Sequence, residues 1–126
     1  MAMAIVVMAF AACGSKNASP ENAAEAFLKD YQKGKYAALV EQMHFSDAVT
    51  REQKEQFAQL IEAKVGPEVE KKGGIAAYEI VETVVAEDGQ SAKVKYNIIY
   101  GDESKDENEQ LNLVLVDGKW MIDGGK

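Results

Sequence analysis

The chain has 126 residues, 47% of them hydrophobic and 28% charged, with a formal net charge of -7 at pH 7. This is the length and composition of one globular domain with a single core, not of a disordered chain or a polytopic membrane protein. Lys and Arg number 14 against 21 Asp and Glu, without a basic cluster, which excludes partners recognised through their phosphates, such as nucleic acid or an anionic lipid surface. In chain order, the first feature is an uncharged run, M-A-M-A-I-V-V-M-A-F-A-A, over residues 1–12. A spanning helix needs ~20 apolar residues, so this run fits the core of a secretory signal instead. Cys13 follows directly and is the only cysteine, so it has no partner for an intrachain disulfide.

Phe10-Ala11-Ala12-Cys13 resembles the lipobox of bacterial lipoproteins, although Phe10 stands where that pattern prefers Leu and no Lys or Arg precedes the run. The missing basic residues suggest a start internal to a longer reading frame, or an N-terminus that has been trimmed. The resemblance implies cleavage before Cys13, diacylglycerol on its sulfur and usually an amide-linked third acyl chain. Each buried CH₂ contributes about 0.8 kcal/mol, so two or three chains anchor a protein stably where one does not. The expected organisation is a signal over 1–12, a lipidated tether over 13–19 and one domain over 20–123. The membrane is then a partner through the lipid, and the address is the bacterial cell envelope, on the periplasmic or surface face of its outer membrane.

Within the domain, Ser19-Pro20 is a helix start, a capping hydroxyl followed by proline where no N–H is required. Ala23, Ala24, Phe27, Leu28 and Tyr31 follow at helical spacing up to Lys33-Gly34. Tyr36, Leu39, Val40 and Met43 predict a second, short helix. Thr50-Arg51-Glu52-Gln53 reads as a capping box for a third, with Phe57, Leu60, Ile61 and Val65 as its stripe and Gly66-Pro67 as its stop. From Ile75 the period becomes 2. Strands are expected over 75–86 and 91–100, joined at Asp88-Gly89, and over 111–116 and 119–123, joined at Asp117-Gly118. Two-residue turns would pair Leu115 with Trp120, Leu113 with Ile122, Thr83 with Val94, Glu82 with Lys95, Val81 with Tyr96 and Glu79 with Ile98. The fold class is α+β, with N-terminal helices on a four-stranded antiparallel meander.

The helical opening S-P-E-N-A-A-E-A-F-L-K-D-Y, the meander and the closing D-G-K-W-M-I-D resemble small bacterial lipoproteins of the nuclear-transport-factor-two-like, cystatin-like superfamily. More narrowly, they resemble its lumazine-binding-like branch of unknown function. The resemblance implies a curved sheet wrapped into a cone whose mouth is a catalytic pocket in some members and an interaction surface in others. The expected function is a non-enzymatic, lipid-anchored protein binding a small apolar or amphipathic ligand or a protein partner. One alternative is an isomerase- or hydrolase-like enzyme with Glu79 as base and a tyrosine hydroxyl, Tyr96 first, as oxyanion donor. Another is a structural scaffold or immunity-type binder whose cone is filled.

The candidate pocket residues are Glu79, Tyr96, Tyr100, Trp120 and His44. His44, the lone histidine, has a simpler expected role at the end of the second helix, satisfying terminal carbonyls. A zinc site would lack a ligand set. Asp102, Ser104, Asp106 and Asn108 are spaced like the start of a calcium loop, but Glu107 and Leu113 break that pattern, and a solvated hairpin loop over 102–109 is expected. No metal and no cofactor are implied.

Overall fold

The computed structural model describes residues 4–5 and 18–124, so all of the expected signal except Ala4 and Ile5, together with Cys13 and most of the tether, lies outside the described residues. The first helix, α1 (Pro20–Gln32), starts as its sequence dictates: the Ser19 hydroxyl accepts from the Asn22 N–H at 3.0 Å, and Pro20 follows the cap. Its stripe buries Ala23, Ala24, Phe27 and Leu28 against the sheet. The second, α2 (Tyr36–Glu41), buries Tyr36, Leu39 and Val40 but stops before Met43.

Met43 and His44 instead form an edge strand, which corrects the placement of His44 at a helix end. The cause is long-range. The Ile122 N–H donates to the Gln42 carbonyl at 3.0 Å and the Gly124 N–H to the His44 carbonyl at 2.8 Å, drawing the segment onto the sheet.

The third helix, α3 (Arg51–Lys71), opens with the expected capping box: the Gln53 N–H donates to the Thr50 hydroxyl at 3.1 Å and the Thr50 N–H to the Gln53 side chain at 2.8 Å. It does not stop at Gly66-Pro67. Proline at that point removes one donor from the backbone ladder, while Gly66 faces the Tyr36 ring, which a Cβ there would meet at 3.9 Å. The helix runs on to Lys71, and Gly73 and Gly74, both at positive φ, turn the chain into the sheet. Across its 21 residues α3 buries none completely; Ile61 and Val65 pack partly on the core, while Phe57 and Leu60 are 37% and 50% exposed.

The sheet has six strands in the order β1-β3-β4-β5-β6-β2. Its centre is the expected meander, β3 (Ile75–Val85), β4 (Ser91–Tyr100), β5 (Lys105–Val116) and β6 (Lys119–Asp123). Two-residue strands flank it: β1 (Ala4–Ile5), antiparallel to β3, and β2 (Met43–His44), parallel to β6. The sheet is therefore mixed, and the expectation of a four-stranded, purely antiparallel sheet is corrected by these edges.

Near the turns the register follows the sequence. Leu115 pairs with Trp120, Leu113 with Ile122, Thr83 with Val94 and Glu82 with Lys95. Beyond Glu82 it departs, because a bulge between Ile80 and Glu82 pairs Ile80, rather than Val81, with Tyr96, and Glu79 with Asn97 rather than Ile98. A second irregularity between Ile75 and Ala77 shifts the strand again, pairing Ile75 with Tyr100. Bulges bend a strand and raise its twist, as a sheet curving around a helix requires. The expected solvated loop over 102–109 is also corrected: β5 begins at Lys105, and only the turn preceding it is irregular.

The helix-covered face carries the core. Val94, Leu113 and Trp120 join Phe27 and Leu39 in one cluster, and Leu28, Ile75, Ile98 and Tyr100 form a second. Complete burial of such a side chain contributes about 1.5–3 kcal/mol. Among the described residues no helix is long and apolar enough to cross a membrane.

Candidate functional site

The five sequence-derived pocket residues do not converge on one cavity. Glu79 is exposed, and its carboxylate accepts from the Asn97 side-chain amide at 2.9 Å. The bulge beside Val81 sets this face outward, so Glu79 does not reach the tyrosines across the sheet. Trp120 is 8% exposed within the helix–sheet core. His44 lies in a groove at the sheet edge. Only Tyr96 and Tyr100 are brought together, both packing in the second core cluster.

Around these two tyrosines a polar network closes the end of the covered face. The Tyr100 hydroxyl donates to an Asp106 carboxylate oxygen at 2.6 Å. Tyr31 packs against this same cluster, and the Tyr31 and Tyr36 rings meet edge to face at 6.4 Å. Lys72 Nζ sits 4.6 Å from the centre of the Tyr100 ring. A second bulge, between Tyr96 and Ile98, pairs Glu109 with Tyr96 and Asp106 with Ile98. That irregularity depends on Asn108 at φ 58, whose N–H donates to the Asn97 side chain at 2.9 Å.

The electrostatics of this network hold its hydroxyls neutral. Burial first, then the Glu109 carboxylate, pushes Tyr96 up to about 12. Tyr100 is raised by burial and by its hydrogen bond to Asp106, and Tyr31 by burial and by Tyr36. At neutral pH these groups are hydrogen-bond donors and not bases.

A stability change follows. The folded-state value of Tyr96 lies above its ordinary 10.0, so the folded chain holds this proton more tightly than the unfolded one. The stabilisation is complete below pH 10 and is lost as pH rises toward about 12. Urea midpoints at pH 8 and pH 11 should differ in that direction, and Tyr96→Phe should flatten the difference. An unchanged slope in that variant would show that Tyr96 does not titrate as this environment requires.

A sizeable hollow lies apart from the tyrosine network. It is a groove of about 670 Å³ at the sheet edge, between the C-terminal part of α2, β2 and the first turns of α3. Val40, Met43, Phe45, Ala58 and Met121 give it apolar walls, and Arg51, Lys54, Glu41, Asp47 and Glu55 a mixed-charge rim. Phe45 is locked by an edge-to-face contact with Phe57 at 5.9 Å and lies under Lys54 Nζ, 5.7 Å from the ring centre.

Sequence reasoning missed Phe45, Met43 and Met121 as a group, because the parallel β2–β6 pairing that unites them joins residues far apart in the chain. It also took Asp106 for a loop residue. The one local signal was Asn97 and Asn108, residue types that tolerate irregular backbone.

The fold is shared more widely. A crystal structure of a Campylobacter jejuni protein, provisionally described as an NTF2-like transpeptidase, superposes with a TM-score of 0.67 at 22% identity, covering 82% of this chain and 96% of that one. The likeness shows an NTF2-like fold. No functionally curated protein matches the chain. The profile of DUF4878, a domain of unknown function, matches residues 11–123, nearly the whole sequence, and the chain belongs to that family.

Proposed function

We propose that this protein is a lipid-anchored, non-catalytic binding module of a bacterial cell envelope, and that its binding surface is the groove between α2, β2 and α3. The observation carrying the proposal is that groove, whose volume of about 670 Å³ falls within the usual 300–1,000 Å³ of small-molecule sites, with apolar walls and a few polar groups. The cone itself offers less, because Phe27, Leu111, Leu113 and Trp120 occupy it. The Glu79 chemistry is set aside, since that carboxylate faces solvent. The Campylobacter protein's description adds no activity at 22% identity, and the narrower lumazine-binding-like likeness adds no ligand. The filled cone favours one second reading, a scaffold or immunity-type binder, which would use the same groove for a protein partner.

The anchor part of the proposal rests on Phe10-Ala11-Ala12-Cys13, with residues 1–12 removed, 13–19 as tether and 20–123 as the binding domain. Metabolic labelling with an alkyne fatty acid should mark the wild-type protein and leave Cys13→Ser unmarked; equal labelling of both would remove the anchor. Native mass spectrometry of protein recovered from its own envelope should show a bound species that Met121→Asp strips away, with circular dichroism unchanged. A wild-type protein recovered bare would remove the binding role.

A further inference from the structure

We infer that the occupant of the groove is an extended polypeptide segment, added as a strand along the open edge of β2. The inference rests on the binding role proposed above and names the class of partner. Among the described residues β2 is the last strand of the sheet, paired on one side only, with β6. The groove adjoins this strand, since Met43, His44 and the following Phe45 all line it. Neither the N–H nor the carbonyl of Phe45 is hydrogen-bonded to another described residue.

A sheet edge offers main-chain donors and acceptors, and only a chain in extended conformation can meet several of them in register. A helical partner satisfies its own backbone and would leave this edge unpaired. Strand addition also suits the walls. Alternate side chains of an added strand point to opposite sides, so one set would enter the apolar floor at Val40 and Met121 while the other faces solvent across the rim. The rim mixes Arg51 and Lys54 with Glu41, Asp47 and Glu55, which favours no strongly charged ligand. A second copy of this chain is disfavoured as occupant, because each carries a net charge of -7 and would repel the other.

The test uses the full chain, labelled with ¹⁵N and with ¹³C at the methionine methyls, against a randomised dodecapeptide library displayed on phage. Selected peptides should shift the methyl signals of Met43 and Met121 and slow exchange of the Phe45 amide. N-methylation of alternate peptide residues should then weaken binding by about tenfold in one phase and leave the other phase unaffected, since several strand hydrogen bonds are lost together.

Equal effects in both phases, or methyl shifts without Phe45 protection, would overturn strand addition and leave the groove as a binding site. Should no selected peptide move these methyls while the dye 1-anilinonaphthalene-8-sulfonate does, the inference falls and a small apolar ligand is the occupant. If neither probe moves them, the groove reading falls as well. Protection of Phe45 without peptide, together with a doubled mass in light scattering, would assign the edge to a second copy and overturn the inference.

Discussion

Trp120→Ala is expected to destabilise the domain by about 3–5 kcal/mol, the range for deleting a large aromatic side chain from a closed core. Trp120 is 8% exposed, stands opposite Leu115 on β5 and shares a cluster with Phe27, Leu113 and Ile122. Its removal separates the layer of α1 from the end of the sheet. Against a total stability of about 5–15 kcal/mol for a domain of this kind, a large share would go. Urea unfolding followed by circular dichroism would measure it, since the substitution removes the only tryptophan and with it the fluorescence probe. Leu115→Ala, at a half-buried site in the same pair, should cost less than half as much. Equal costs, or a Trp120→Ala loss below about 1.5 kcal/mol, less than even the transfer contribution of one buried side chain, would place the core elsewhere.

The second large effect is expected at Gly101, for a reason that hydrophobicity does not reveal. The turn after α3 lies against the turn between β4 and β5: the Gly101 N–H donates to the Gly74 carbonyl at 2.8 Å, and the Asp102 N–H to the Lys72 carbonyl at 2.8 Å. A Cβ on Gly101 would fall on the Gly73 carbonyl carbon, at 2.9 Å, and closer still to its oxygen. These are backbone atoms, with no flexible end to swing aside. The two turns must part, losing both bonds and adding packing strain, for an expected cost of about 3 kcal/mol or more.

Gly118→Ala is the comparison. It lies in another turn at φ 79 with nothing near its Cβ position, so it should cost only the left-handed backbone strain, about 1–2 kcal/mol. Chemical denaturation of both variants gives the ordering, and hydrogen exchange at the Gly101 and Asp102 amides should accelerate in Gly101→Ala alone. A cost for Gly101→Ala no larger than that for Gly118→Ala would mean the two turns are not in contact.

Signals in this sequence that act over a few residues hold in the fold, except where distant parts of the chain override them. Ser19-Pro20, the Thr50–Gln53 box and Asp117-Gly118 act over three or four residues, and the elements they predict are present. Pairing through Asp88-Gly89 holds as far as Glu82 with Lys95. It then fails at Val81, because bulges answer to sheet curvature, which no short window contains. Gly66-Pro67 is a valid local stop signal that tertiary structure overrides, since α3 packs beside the Tyr36 ring. Met43-His44 continues a helical apolar pattern, yet the amides of Ile122 and Gly124 decide its conformation.

The candidate site inherited these errors in proportion. Tyr96 and Tyr100 were legible as neighbours because they lie on one strand. The groove was not, since its walls come from α2, β2, α3 and β6.

The bulge at Val81 also governs how this chain should be aligned with its relatives. Two residues of β3 stand there against one of β4, so a relative with an unbroken strand has one residue fewer, and the gap belongs at position 81. Placed on the N-terminal side of Glu79, the gap would equate Glu79 with residues that face the interior in that relative. An acidic side chain of genuine catalytic importance would then be transferred onto a solvent-facing position that cannot perform its chemistry.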